Sequence, residues 1–486
     1  MRLVLVLHAH LPWVRSPEPW SCEEGWFHEA QWSCYAPLLA MLEALAAEGI
    51  PVPLTVSLSP PLLEMWRDPI ATPRFAAHVE TLLRLNRLAG PELRAGAEAL
   101  EAQLEAAAVN GSPGASVKRW AALEGVGGLE LWTTAATHAL LPLSTGRGAQ
   151  LAIGEASFRH AFGTAPEGRW LPECAISDEV DAALAAADVS HTVVDEHAVA
   201  WASPGPPSLG PILSPRGVAY LPRHREATHR VWSRQHGYPR HPAYREYHLD
   251  AAQWLAPERR APLPNEAMTG LKYHRVTGHE KKALYDPAAG RAQAEADAED
   301  YAAWLEAQPG ETLTLAFDAE LFGHWWHEGP YFLGRLLRRL AGSERVRLCR
   351  ARDALMESEL AVASPAASSW GRGGSLQPWL NPLTGAMARH ALAVRREIDQ
   401  RLPLATDPRA ADEAARAALL LEASDYAFMV NEDRAAGDAR RRVEELAESA
   451  LAWSVAAMGS GPPPPPTHGP FRDEAPGWLA ACLTRG

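Results

Sequence analysis

Residues 2 to 7, RLVLVL, form a short continuous apolar run that ends in the polar cluster of His8 and His10. A strand buried on both faces of a parallel sheet has this pattern, and it delivers polar groups at its carboxyl end. Similar runs recur at PLTVSLS (53–59), LELWTTAATH (129–138), RWLPE (169–173), HTVVD (191–195), GVAYLP (217–222) and TLTLAFD (312–318), giving seven candidate strands. Helix-period segments separate several of them, such as HEAQWSCYAPLLAMLEALAAEG (28–49), which Gly49 closes as a C-terminal cap. This alternation predicts a parallel α/β barrel or a doubly wound sheet.

Residues 61 to 127 hold no good strand but two or three Ala/Leu-rich amphipathic stretches, which predicts a helical insertion after the second strand. Strand signals vanish again from about residue 351, where 383–401, 409–424 and 435–458 read as helices. The Pro462–Pro466 run then makes a stiff polyproline-like connection to a short tail. The expected organisation is a barrel over 1–60 and 128–350, a helical insertion over 61–127, and a C-terminal α-helical domain over 351–486. The Pro- and Gly-rich stretch from Trp201 to Gly217 predicts an irregular loop of the kind that borders active sites. No internal repeat is visible.

Composition narrows the function. A chain of 486 residues, 47% hydrophobic and 22% charged, has material for two or three domains and a large core. Its 46 Lys plus Arg against 59 Asp plus Glu leave a net charge of −13, so no nucleic acid partner is expected. The run Leu3–Leu7 is far shorter than a signal-peptide core or a membrane span, so a soluble cytoplasmic protein with no membrane partner is expected. Five scattered cysteines without a Cys-x-x-Cys pair read as reduced thiols. The 18 Trp against 9 Phe fit flat, polar-edged ligands such as sugar rings.

Four polar clusters sit at the ends of candidate strands: HAHLP (8–12), TTAATHALLP (133–142), WLPECA (170–175) and FDAELFGHWW (317–326). Barrels gather their catalytic groups there. Glu173 follows Trp170 and Pro172 in a stiff, partly apolar setting, and Asp318 closes an apolar strand beside His324 and two indoles. Two such carboxylates from distant parts of the chain suit glycosidic bond chemistry, one attacking the anomeric carbon and one protonating the leaving oxygen. The plainer alternatives are ion-paired strand-end carboxylates and core tryptophans at 325 and 326. His8 and His10 share a strand face and so also fit a metal pair of the amidohydrolase kind, but no later Lys, His or Asp set with clear ligand spacing supports one.

These clusters, with LEASDYAFMV (421–430), PAASSWGRGGSLQPWLN (365–381), VVDEHA (193–198), VWSRQHGYPRHPAYREY (231–247) and TGLKYHRVTG (269–278), resemble glycoside hydrolase family 57, of the α-glucan branching type, over nearly the whole chain. The resemblance implies an incomplete (β/α)7 barrel with a helical insertion and a C-terminal helical domain that completes a glucan cleft. It implies Glu173 as nucleophile and Asp318 as general acid/base. His10 and His138 would hold hydroxyls of the sugar at the cleavage point, Trp26, Trp370 and Trp379 would be platforms along the cleft, and Asp425 would reach in from the helical domain. Trp232 is a weaker platform candidate. The implied reaction cleaves an α-1,4 linkage of an α-glucan and makes an α-1,6 branch, as in glycogen-type polymer synthesis, with no metal or organic cofactor.

Two departures from the branching pattern stand out. The loop after the VVD strand carries a tyrosine over the site in branching members, whereas Trp201 to Ala219 contains none, and Tyr426 stands where Trp is usual. A loop that shields a glycosyl-enzyme from water favours a sugar acceptor, so the missing tyrosine predicts more hydrolysis. The rivals are an α-amylase or 4-α-glucanotransferase, and a carbohydrate-binding protein that kept the cleft without turnover.

Overall fold

The computed structural model describes residues 1–233, 235–264, 267–277, 282–466 and 468–485; Arg234 and Gly278, which belong to two of the motifs above, lie outside the described residues. Seven parallel strands form a nearly closed barrel: Arg2–Ala9, Thr55–Leu58, Glu130–Trp132, Arg169–Trp170, His191–Asp195, Ala219–Arg223 and Thr312–Asp318. Each pairs with the next, the third and fourth through a single bridge at Thr133 and Arg169. The sixth meets the seventh only at Arg223 and Thr314, and the seventh closes on the first over seven residue pairs. A short strand, Arg347–Cys349, shares one edge of the first strand, pairing with its lower half while Thr55–Leu58 takes the upper half. The expected incomplete (β/α)7 barrel is therefore the observed architecture.

Side-chain parity along the first strand explains why Leu3–Leu7 is apolar throughout. Val4 and Val6 turn into the barrel with Trp132, Trp170, Val193, Leu221 and Ala316. Leu3, Leu5 and Leu7 turn outward onto the surrounding helices, among Leu38, Leu42 and Leu337. With period-two alternation, His8 follows Val4 and Val6 inward, and Asp318 follows Ala316.

Between the second and third strands lie the helices Pro60–Arg67, Ala71–Asn86, Arg94–Asn110 and Pro113–Gly127. Phe75, Val79, Leu82, Leu100 and Leu104 from this group pack with Leu271 and Tyr273. After the barrel come the helices Gly385–Arg401, Pro408–Leu421, Ser424–Asn431 and Ala436–Ala457. Pro408–Leu421 starts cleanly because Asp407 accepts from the Arg409 and Ala410 amides and Pro408 occupies the first turn, where its missing N–H costs nothing.

Two expectations are corrected. The 201–217 segment is not wholly irregular, since Ile212–Leu213 is a strand that pairs antiparallel with Ala219 and Tyr220. Strand structure also continues past 351, because Ala361–Val362 pairs parallel with Ile212–Leu213. Two-residue strands carry too little periodicity to register in a sequence. They form because Ile212 has a fully buried slot among Leu171, Val180 and Tyr220. Among the described residues no helix is long and apolar enough to cross a membrane.

Candidate active site

Strand register builds the floor of the site. His8 lies level with Ser57 on one neighbouring strand and with Asp318 on the other. Its ring stacks on Trp170 at 4.5 Å and its Nδ1 meets the Ser57 hydroxyl at 3.1 Å. Its Nε2 faces the His138 Nε2 at 3.0 Å, and His138 in turn stacks on His10 at 3.8 Å. Burial, together with the neighbouring histidines, pushes both His8 and His138 well below the ordinary imidazole range, so both are neutral.

Glu173 sits in a tight turn with φ 62°, followed by Cys174 at φ 49°, and His138 is also left-handed at φ 57°. Left-handed backbone costs a non-glycine residue on the order of 1–3 kcal/mol and persists only where the surroundings over-determine it. Here the fully buried Cys174 anchors the turn in the barrel core, and the Trp370 amide donates to the Glu173 carbonyl at 3.0 Å. The carboxylate is fixed at both oxygens, by the Trp370 indole N–H at 2.7 Å and the Ser424 hydroxyl at 2.8 Å. Burial raises its pKa to about 7, against the two hydrogen bonds, with the Asp425 charge adding to the rise.

Asp318 opens to the cleft at the end of its strand, yet protein walls surround it. Confinement between those walls pushes its carboxyl well above the usual range, and the nearby Glu320 and Glu173 charges push the same way. Glu320 is itself raised to about 7, chiefly by burial. It accepts hydrogen bonds from the Tyr35 hydroxyl and the His10 amide. Tyr35 ends a π-helical turn, Gln31–Tyr35, inside the helix that leads from Cys22 to Ala47. Gly323 lets the loop after the seventh strand approach that turn: at φ 118°, a Cβ there would lie 2.0 Å from the Ser33 carbonyl oxygen.

The helical region reaches into the barrel through the backbone bridge of Ala139 to Ala423, continued by the Ser424 amide donating to the His138 carbonyl at 3.1 Å. This places Asp425 against the His10 Nε2 at 3.2 Å. Burial pushes Asp425 up, but the charge and hydrogen bond of His10 outweigh it and bring its pKa below the usual range.

A second polar group lies beyond the seventh strand. Glu29 pairs with Lys272 at 3.1 Å and lies 3.7 Å from His324. Burial opposes its ionisation, yet Lys272 and His324 hold it at about 2. Lys272 covers the Tyr247 ring at 4.0 Å, Tyr247 packs on Trp325 at 4.8 Å, and Arg434 from the helical region covers Trp325 at 5.0 Å.

The structure thus brings together Glu173, Asp318, His10, His138, Asp425 and Trp370. Trp379 is 3% exposed among Leu140, Ala175 and Trp370, so it offers little open face. Trp26 is half-buried one turn before Glu29 on the same helix, and shares its face. Trp232 is 45% exposed, with its ring edge-on to His229. Trp325 faces Tyr247 while Trp326 is core, so the two indoles divide. Sequence reasoning missed Ser424, Glu320, Glu29, Lys272 and Tyr247. All but Glu29 lie inside quoted motifs, where the motif itself was the available signal. Ring nitrogens of His8, His10 and His138 lie within 4.8 Å of one another. In this structure the Nε2 atoms of His8 and His138 are engaged with each other at 3.0 Å and the Nε2 of His10 with Asp425 at 3.2 Å, so a metal there would have to displace these bonds.

Comparison with known proteins gives the family. The family model for Glycosyl hydrolase family 57 matches residues 4–361. A Mycobacterium tuberculosis protein named a probable 1,4-alpha-glucan branching enzyme is 30% identical over 493 residues, covering 90% of this chain and 89% of the relative. The crystal structure of the α-amylase AmyC from Thermotoga maritima superposes with a TM-score of 0.83 at 28% identity, over 95% of this chain and 94% of that one. The branching enzyme of Pyrococcus horikoshii gives 0.82 at 26% identity, over 94% and 91%. This chain therefore belongs to glycosyl hydrolase family 57.

Proposed function

We propose that the protein is a retaining α-glucan enzyme that cleaves an α-1,4 linkage and passes the held chain to a 6-hydroxyl, forming an α-1,6 branch. The observation that carries this reading is the pair of strand-end carboxylates with unlike settings. Burial raises both carboxyls, but at Glu173 two donors oppose the rise and favour the ionised form, whereas at Asp318 the Glu320 and Glu173 charges add to it and favour the protonated form. Environments that separate two carboxyl groups in this way assign the acid and the nucleophile.

In the first step a Glu173 oxygen attacks the anomeric carbon, the bond from that carbon to the 4-oxygen breaks, and the Asp318 proton goes to the leaving oxygen. In the second, the acceptor 6-hydroxyl gives its proton to Asp318 as its oxygen attacks the same carbon and Glu173 leaves. His10 holds a hydroxyl of the sugar at the cleavage point through its Nδ1, which is buried without a protein partner, whereas His138, with both ring nitrogens on protein groups, backs the His10 ring rather than holding a hydroxyl itself. Asp425 holds His10 in place. Trp26 and Trp370 serve as platforms along the cleft, with Trp379 backing Trp370. The relatives named branching enzymes support this acceptor choice. The reading places the protein in the synthesis of a glycogen-type polymer in the cytoplasm.

A second reading, hydrolysis, is favoured by the likeness to an α-amylase and by the tyrosine-free loop. The nearest tyrosine, Tyr220, is buried and donates to Asp181, so it is no substitute shield. Incubation with amylose, followed by debranching and chain-length analysis, separates the outcomes. New α-1,6 bonds are expected. Reducing ends alone would mean an amylase, relengthened linear chains a 4-α-glucanotransferase, and binding without turnover a carbohydrate-binding protein.

A further inference from the structure

We propose that Ser57, His8, His138 and Ser424 form a one-directional hydrogen-bond relay that ends on Glu173 and holds its carboxylate ionised and oriented, which makes Ser424 and His8 positioning residues. The proposal rests on Glu173 being the nucleophile. Its direction follows from counting protons. An ionised carboxylate has none and only accepts. Ser424 has one hydroxyl hydrogen, which goes to Glu173 Oε1 at 2.8 Å, so the Ser424 oxygen accepts from His138 Nδ1–H at 2.9 Å. A neutral imidazole carries one N–H, which leaves the His138 Nε2 bare to accept from His8 Nε2–H at 3.0 Å. The His8 Nδ1 is then bare as well and accepts from the Ser57 hydroxyl at 3.1 Å. Every hydrogen is placed and every bond points at the nucleophile.

The opposite direction requires a proton on Glu173. A protonated Glu173 donates to Ser424, Ser424 to His138, His138 Nε2–H to His8, and His8 Nδ1–H to Ser57. Ionisation of the nucleophile and the tautomers of two histidines are therefore one coupled variable. Burial keeps both rings neutral, with one N–H each, which the count of protons needs: an imidazolium at His138 would set a second N–H against the His8 Nε2–H, and one at His8 would turn Ser57 from donor to acceptor. The groups facing Glu173 are Asp425 and Ser424 from the helix 424–431, His10 just past the first strand, His138, Asp318 and the Trp370 indole. Trp370 binds the other carboxylate oxygen and does not depend on the relay.

The test is kcat/KM against pH on a p-nitrophenyl malto-oligoside for the full-length protein and its Glu173→Gln, Ser424→Ala, Ser424→Thr and Ser57→Ala variants, with nitrogen-15 NMR of labelled histidines. Ser424→Ala is expected to raise the acid limb by about one pH unit and to lose roughly tenfold at pH 6. Ser424→Thr restores the limb, and Ser57→Ala, at the far end, moves it the same way by under about half a unit. At pH 8 the NMR signals should show His138 protonated at Nδ1 and His8 at Nε2. An unmoved acid limb in a folded Ser424→Ala protein, or His138 protonated at Nε2 at pH 8, overturns the relay. Should Ser424→Ala fail to fold, Ser57→Ala and the tautomers decide. Turnover by Glu173→Gln would overturn the nucleophile assignment instead, and the tautomers would still judge the relay.

Discussion

Replacing Glu173 with Gln should make the protein more stable, and only above a definite pH. Glu173 has a pKa raised from 4.5 to about 7, mainly by burial. Its folded state therefore holds a proton more tightly than its unfolded state. The sign follows: the carboxyl costs nothing below about pH 4.5, where both states are protonated, and its cost grows as pH rises to about 7 and then levels off. At about 1.36 kcal/mol per pKa unit, the cost above pH 7 is about 3 kcal/mol. Gln has the same shape and no charge; its carbonyl accepts from Trp370, and its amide meets Ser424, a difference that does not depend on pH. With an unfolding entropy of about 2.1 cal/mol/K per residue over 486 residues, 3 kcal/mol corresponds to about 3 °C in Tm. Melting curves of wild type and variant, taken at one scan rate from pH 4.5 to 8.5, measure it. The variant should match or trail wild type at pH 4.5 and gain about 3 °C by pH 8. A Tm difference that stays constant across this range would refute the claim that Glu173 carries a burial penalty.

Three further outcomes are expected. Asp318→Asn should lower kcat on amylose by about 10²–10⁴-fold, and by much less on an α-glucosyl fluoride, whose leaving group needs no proton; equal losses on both substrates would remove Asp318 from the acid role. Activity should survive prolonged chelation, because the stacked imidazoles of His8, His10 and His138 are engaged with protein partners; loss with recovery on adding zinc would reverse the metal argument. Leu209→Tyr, at a 56% exposed position of the 201–217 loop, should raise the ratio of new α-1,6 branches to new reducing ends, whereas a Tyr at Ile212, which is fully buried, would overpack the core and lower stability instead. An unchanged ratio in the Leu209 variant would mean that the loop does not govern access of water.

The barrel was legible along the chain because a strand buried on both faces is apolar or small and uncharged along its length, and Leu3–Leu7 and Leu313–Phe317 meet that condition without reference to anything distant. Strand parity then carried His8 and Asp318 inward, and the turn chemistry of WLPECA marked Glu173. Local order reaches no further. The pairing of Ser424 with Glu173 joins residues 251 apart in sequence, and that of Asp425 with His10 joins residues 415 apart. Neither serine nor aspartate on a short helix announces a distant partner. The left-handed backbone at His138 and Glu173 was equally invisible, since no residue type there favours it and only the packing of Cys174 and the Trp370 amide enforces it. The two-residue strands at 212–213 and 361–362 exist because a core slot is free for Ile212. Sequence thus determined which segments bury themselves and which chemistry they present, because burial and strand parity act over a few residues. Tertiary packing alone decided which polar groups meet and in what ionisation state, because desolvation and hydrogen bonding depend on neighbours that the chain brings from far away.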